Sequence, residues 1–532
     1  MTLPRTTLRR ANRPLWGLLM LTAVLTLGGG AARADLDATQ RQADAALEAW
    51  NLAEAEAILA RLEASGASGD AGTVHLRGKL LFMQGRYRES LDWLAQARSI
   101  EDSSAFSQLE ALVRSTEEVT RAYVRVRSPA GHFELSHAPG VDALLVPYAG
   151  EALDRAYVEL TRIFGHTPPT PIRVEIYPTV DVLGAVSPLS VAEIRTSGTI
   201  ALCKYNRLMI TSPRDLVYGY DWLDTLAHEF IHLVVTQKSR NQTPIWLHEG
   251  LAKYYEVKWR RDARPTLDRH SESFLAKALT KGSLIPFADM SPSMAKLPSQ
   301  EATTTAFAEV WTVMAFLENR ARGPVAAALT GHLGAGLSDR DAVSKVAGLP
   351  WDRFEPGWKT WLKAQGYRPL DAEYRQRLLF KGRDTEADEL ADIRVDKARD
   401  HVWLGDRLRL AGRWTGAIHA YERATEVVGR DSPLIQGKLG YALLRAKRPA
   451  EAAEALMRPI AQHPRHIVLQ VYLGEALLAL GRHAEARAHL EEALTINPFD
   501  PDLHGHLAAV YDKLGLTGKA AIERNAHRLI HP

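Results

Sequence analysis

Between residues 386 and 532 one small residue returns four times at an interval of 34 or 35: Gly405, Gly440, Gly474 and Ala508. Ala417, Ala452, Ala486 and Ala520 keep the same steps, Gly412, Gly481 and Gly515 mark turns, and Pro464 and Pro498 close two of the units. A unit of this length cannot bury its apolar face alone, so each must stack on the next. Small side chains at fixed places let two antiparallel helices touch. The period therefore predicts a row of helical hairpins.

The pattern resembles the tetratricopeptide repeat over residues 386–532, which implies a concave surface suited to a peptide or protein partner. A weaker copy lies near the start of the chain. Gly78, Gly85 and Tyr87 sit in a Leu76–Ala97 stretch with repeat-like spacing, and an alanine-rich unit precedes it over about residues 37–63. Residues 35–120 are expected to form repeat-like helices that lean on a neighbour.

Residues 1–34 carry Arg5, Arg9, Arg10, Arg13 and Arg33 and no acid, followed from Leu15 to Leu27 by an apolar run. With Ala32-Arg33-Ala34 before Asp35, this reads as a cleaved export signal. The run falls short of the roughly 20 residues of a spanning helix, so no membrane span is expected after cleavage. No cysteine follows it, so the chain is expected to be exported, periplasmic or secreted, and not a lipoprotein. Cys203 is the only cysteine and leaves no internal disulfide. Without the leader the net charge falls from +3 to −2, which removes any electrostatic reason to expect nucleic acid.

At 532 residues the chain needs several domains, and between the repeats, over about residues 125–375, its pattern becomes mixed. His132–Leu135 and Ile172–Tyr177 read as strands, Val141–Phe164 as a helix, Thr199–Thr211 as one or two strands and Tyr220–Gln237 as a helix. That last helix contains His228-Glu229-Phe230-Ile231-His232. Residues four apart lie on one helix face, so both imidazoles can reach one ion. Zinc takes such nitrogens and keeps a position for water, whose proton Glu229 could remove. The surrounding Leu226, Phe230, Ile231, Val234 and Val235 suit a buried metal helix.

A further carboxylate, Glu249, stands 17 residues after His232 in Trp246-Leu247-His248-Glu249-Gly250-Leu251-Ala252-Lys253-Tyr254. The Asn241–Pro244 turn lets the chain double back and close a His-His-Glu site. Here the sequence resembles the gluzincin metallopeptidases, in particular the peptidase MA-like domains. The resemblance implies one zinc ion held by His228, His232 and Glu249, with Glu229 as general base. The fold expected is an α+β zincin-like domain, a small sheet plus the metal helix, flanked by all-α solenoid segments. Gly250 and Ala252 are expected to let the two helices of the site approach.

Several neighbours carry weaker expectations. His248 is offset from Glu249 by about 100° on a helix and is expected at the surface or facing substrate. Asp224, one turn before His228, could orient an imidazole or lie on the helix surface. Relatives place an orienting Asp four residues after the ligand Glu, where this chain has Lys253. The oxyanion-binding hydroxyl is missing at Ala306-Phe307, leaving Tyr205, Tyr254, Tyr255 and His270 as substitutes. The segment by which zinc aminopeptidases hold a free amino terminus is absent, which favours an endopeptidase. The functional expectation is an exported zinc metallopeptidase whose repeats bind a protein partner or substrate. The alternative is a non-catalytic envelope scaffold with a degenerate metal domain.

Overall fold

Three glycines of the C-terminal period each face a bulky residue 16 positions later. A Cβ on Gly405 would lie 2.4 Å from the Tyr421 ring, one on Gly440 2.8 Å from Leu456, and one on Gly474 2.5 Å from Leu490. The period thus reports a helix crossing too close for any side chain. The computed structural model describes residues 17–260, 265–370, 378–382, 388, 390, 393 and 395–531, with side chains from Arg33 onward. It divides into two compact units, Met1–Glu110 and Ala111–Pro532.

The first unit holds α1 (Gly17–Glu48), α2 (Leu52–Ala64), α3 (Ala71–Met83), α4 (Tyr87–Ile100) and the start of α5 (Ser104–Thr120). Gly78 meets Leu94, again 16 residues on and 2.8 Å from the position of a Cβ, so α3 and α4 cross as the C-terminal hairpins do. Asn51 and Asp70 cap α2 and α3 by accepting from the Glu54 and Thr73 amides. Residues 1–16 of the expected leader lie outside the described residues. Among the described residues no helix is long and apolar enough to cross a membrane.

The second unit opens with a five-stranded sheet in the order β1-β2-β3-β5-β4. The strands are β1 (Val124–Arg127), β2 (Phe133–His137), β3 (Ile172–Tyr177), β4 (Ala201–Lys204) and β5 (Arg207–Thr211). β2, β3 and β5 run parallel, while β1 and β4 pair antiparallel at the two edges. β4 and β5 are joined by Tyr205-Asn206, both with φ of 55°; the expected Thr199–Thr211 strands are therefore a tight hairpin. No strand is expected at β1 from the sequence, although Val124 and Val126 alternate there with Arg125 and Arg127; all four residues are exposed, at the edge of the sheet.

The helix expected over Val141–Phe164 begins later. Val141–Leu144 form a 3-10 turn and α6 runs Leu145–Phe164. Pro147 explains the shift: inside a longer helix it would break a backbone bond, whereas in the first turn no amide is needed. α7 (Val180–Ala185) and α8 (Val191–Ser197) lead into the hairpin, and α9 (Trp222–Lys238) carries both histidines of the motif. α10 (Ile245–Tyr255), α11 (Arg269–Lys281), α12 (Gln300–Arg320), α13 (Val325–Gly334), α14 (Asp339–Ala347) and α15 (Trp351–Ala364) complete the central region.

α9 lies on the sheet because it is apolar nearly all round. Leu226, Phe230, Ile231, Val234 and Val235 are fully buried. Phe230 meets Phe133 edge-on at 5.3 Å and stacks on Tyr157 at 5.9 Å between ring centroids. Arg240 and Asn241 then adopt left-handed backbone, which reverses the chain into α10. The expected role of Gly250 needs correction. Its close approach is to α12, with the Val310 carbonyl 3.1 Å from a Cβ, and not to α9.

One buried acid on α12 has a measurable consequence. Glu309 accepts the Ile285 amide at 2.8 Å, and its other carboxylate oxygen is buried without a partner. Burial pushes its pKa up from 4.5 to about 8. The unfolded chain releases this proton near 4.5 while the fold keeps it to about 8, so stability is full below the unfolded value and falls as pH rises through that window. Glu309→Gln is expected to raise the urea midpoint little at pH 5 and much more at pH 8. An equal gain at both would contradict the assignment.

The C-terminal hairpins pair Asp396–Leu410 with Trp414–Val428, Pro433–Arg445 with Pro449–Gln462, Ile467–Ala479 with His483–Ile496, and Leu503–Lys513 with Thr517–Ile530. The turn glycines Gly412, Gly481 and Gly515 have φ between 67° and 75°, and Lys447 takes the same left-handed conformation in the unit that lacks the glycine. One edge of this array packs on the central region through the second helices of the third and fourth hairpins and the loops beside them. Trp222 Nε1 donates to the Leu494 carbonyl and the Tyr220 amide to the Ile496 carbonyl, each at 3.0 Å. Tyr148 donates to Glu523 at 3.2 Å.

Gly219 makes that seam possible. Its φ is 72°, and a Cβ would lie 2.4 Å from the Ile496 carbonyl oxygen. Gly219→Ala is expected to lower stability by more than the about 1–3 kcal/mol of left-handed strain, because the array must also shift. Gly348→Ala, where φ is 64° and no atom lies within 4 Å of the new Cβ, is the matched control. Equal thermal midpoints for the two variants would refute the close approach.

Candidate metal centre

Three side chains from two helices converge. His228 Nε2 lies 3.2 Å and His232 Nε2 3.3 Å from the same oxygen, Glu249 Oε2. Their ligand atoms all fall within 4.8 Å of one another. α9 supplies the histidines one turn apart, and α10 returns the carboxylate across their open face. An imidazole nitrogen pair with one carboxylate is a donor set that suits zinc with a position left for water.

Each imidazole is held from behind. His228 Nδ1 donates to Glu256 Oε2 at 2.9 Å, which turns its Nε2 toward Glu249. Glu256 in turn accepts from Lys253 Nζ at 2.6 Å. This answers the missing Asp: the orienting carboxylate comes from Glu256, seven residues after Glu249 and on the same helix face, with Lys253 as its counter-ion. The signal in the sequence is the two-turn spacing from Glu249 to Glu256, in place of the one-turn spacing of the expected Asp.

His232 Nδ1 lies 2.6 Å from His248 Nδ1, and His248 Nε2 lies 3.2 Å from Thr236 Oγ1. Burial, reinforced by His232, pushes the His248 pKa well down, so it stays neutral. A neutral His248 that donates from Nε2 to Thr236 accepts at Nδ1, which fixes the proton of His232 on Nδ1 and leaves Nε2 free to bind a metal. His248 is therefore half-buried, with both ring nitrogens turned to side chains of α9. It braces the second histidine.

Asp224 also departs from expectation. It touches neither imidazole, and accepts instead from Trp259 Nε1 at 2.8 Å, from Arg260 Nε at 2.9 Å and from Arg465 Nη2 at 3.2 Å. Its side chain is 4% exposed, so it is no surface residue either.

The electrostatics match a cation site. Burial opposes a charge on His228, but Glu249 and Glu256 outweigh it and lift its pKa to about 10. Burial would raise the Glu249 carboxyl, yet His232 and His228 hold it well below the usual range. Glu229 is raised by burial against the pull of the same two histidines. Its Oε2 is buried with no hydrogen-bond partner. A carboxylate oxygen kept bare beside converging donors fits a site completed by a metal ion and the water it carries.

The residues considered for an oxyanion sit in different places. Tyr255 donates to Glu318 and packs on Phe164. Tyr254 lies against Trp311, His270 against Phe274, and Tyr205 occupies the β4–β5 turn. Phe307 does reach the site, its ring centroid 6.1 Å from that of His228. β4 runs along the same side: the buried Cys203 thiol is pushed up by burial and further by the Glu229 carboxylate.

Comparison with known proteins agrees with this architecture. Residues 152–364 match the Peptidase MA superfamily, and residues 404–467 and 443–510 match tetratricopeptide repeat families. No curated protein matches significantly. Among solved structures, one of MamA is 21% identical, covering 25% of this chain and 78% of its own, with a TM-score of 0.23. MamA from Desulfovibrio magneticus RS-1 is 17% identical over 27% of this chain and 81% of its own, with a TM-score of 0.24. The first TPR of Spaghetti (RPAP3), bound to an HSP90 peptide, is 21% identical over 22% and 94%, with a TM-score of 0.22. The chain carries a Peptidase MA superfamily domain followed by tetratricopeptide repeats.

Proposed function

We propose that this chain is an exported zinc-dependent endopeptidase that hydrolyses peptide bonds in protein substrates, with repeats that engage a protein partner. The observation that carries the reading is the convergence of His228, His232 and Glu249 beside the bare carboxylate oxygen of Glu229. Zinc, when bound, supplies the charge that polarises the scissile carbonyl and acidifies a water molecule. Glu229 takes the proton from that water as its oxygen bonds to the carbonyl carbon. It then passes the proton to the leaving nitrogen as the C–N bond breaks. Burial raises its pKa, which strengthens Glu229 as the acceptor of the water's proton. Glu256 and His248 keep the two imidazoles aimed while charge develops.

β4 supports an extended substrate. It pairs with β5 on one side only, lies at the sheet edge and borders Glu229. A peptide can add there as a further strand, its backbone amides and carbonyls supplying affinity without sequence preference. The leader composition supports export, and the C-terminal repeats support a protein partner. Phe307 favours a second reading, a non-catalytic scaffold, because its phenyl ring beside His228 brings no hydroxyl to an oxyanion.

The test is digestion of casein by the chain from Asp35 onward. Chelator-sensitive cleavage restored by zinc supports the peptidase. Bound zinc without cleavage of casein or a peptide library favours the scaffold.

A further inference from the structure

The seam between the repeats and the central region is charged where it meets α9. Arg465, in the turn between the second and third hairpins, reaches Asp224 at 3.2 Å and Asp221 at 3.3 Å and also pairs with Glu492. Arg260 lies between the same groups: it donates to Asp224 from Nε at 2.9 Å and to Glu492 from Nη1 at 3.0 Å. Arg260 Nη2 also reaches Thr495 Oγ1 at 3.4 Å. Two arginines thus alternate with three carboxylates, and the array supplies Arg465, Glu492 and Thr495.

The network sits directly behind a metal ligand. Asp224 is one helical turn before His228, on the same face of α9. The short turn Glu256–Trp259 connects the two ends: Glu256 holds His228 Nδ1, while Trp259 and Arg260 hold Asp224. Helix and turn are therefore tied together by Asp224, and both are tied to the array by Arg465 and Glu492. A metal site tolerates only a few tenths of an ångström of error in its donors, so a clamp one turn from a ligand governs affinity.

We propose that the C-terminal repeat array is a positioning element of the metal site, in which Arg465 and Glu492 act through Asp224 and Arg260 to fix the direction of His228. The proposal rests on the zinc reading above, and extends it: the repeats are part of the active centre's frame and not a tethered arm. Docking uses the turn that carries Arg465 and the second helix of the third hairpin, which carries Glu492 and Thr495.

The test is zinc affinity of the full chain, measured by competition with a chromogenic chelator well below the unfolding temperature. Arg465→Met and Glu492→Gln are compared with Arg445→Met, which removes the Arg445–Glu475 pair and the Arg445–Tyr441 contact, both inside the array. Loss of outer partners typically weakens metal binding about 10–100-fold. Arg465→Met and Glu492→Gln are expected to weaken zinc at least about tenfold and to shift the visible absorption of the cobalt-substituted protein. Arg445→Met is expected to do neither. Glu492→Gln leaves both arginines paired with Asp224, so it tests the idea even where Arg465→Met fails to fold. Folded variants that bind zinc as tightly as the parent overturn the positioning role and leave the zinc reading intact. A parent chain that binds no zinc overturns both.

Discussion

Glu229→Gln is expected to bind zinc as the parent does and to lose cleavage by about 10²–10⁴-fold, the range of a positioned general base. The amide has the shape of the carboxylate but cannot take a proton from water. Glu229 also has no place among the ligands: His228, His232 and Glu249 form the converging group without it. Metal content and turnover should therefore separate completely in this variant. Residual cleavage near the parent rate would mean that another group takes the proton. Loss of zinc would mean that Glu229 belongs to the metal's own coordination.

The second large effect is expected from His232→Ala, which should abolish stoichiometric zinc binding and with it all hydrolysis. Two donors remain, and a catalytic zinc site is built on three. His248→Ala provides the graded comparison. It removes the group 2.6 Å behind His232 Nδ1 and frees the ring to rotate, so zinc should weaken by the about 10–100-fold typical of an outer partner. Isothermal titration of zinc into the metal-free proteins reads both. Equal affinities for the parent and His232→Ala would remove His232 from the site.

The sequence made the converging His228, His232 and Glu249 legible because their geometry is local. His228 and His232 share a face by helical spacing, and Glu249 follows a turn that its own Asn241 and Pro244 announce. The repeats were legible for the opposite reason: the same crossing recurs, and each recurrence repeats the demand for a small residue at Gly405, Gly440 and Gly474. What stayed hidden depends on pairs far apart in the chain. Asp224 looks like any helix acid until Arg260 and Arg465 close on it. His248 is turned about 100° from Glu249 around α10, and only α9 brings His232 and Thr236 to it. β1 is a Val-Arg alternation of only four residues at the sheet edge, the shortest run that can signal a strand.

The repeats also change meaning once the seam is seen. A solenoid segment at the end of a peptidase invites the image of a flexible hook. Trp222, Tyr220 and Gly219, at the entry to α9, are instead packed against Leu494, Ile496 and Asn497 of the third hairpin and the loop after it. A partner that engages the array would press on an element fastened to the metal helix.

The most direct measurement of the central claim is the metal content of the purified chain by elemental analysis, beside a triple variant replacing His228, His232 and Glu249 with alanine. The account expects one zinc per chain in the parent and none in the variant. A parent free of zinc after exposure to the ion, or a variant that keeps it, would contradict the site.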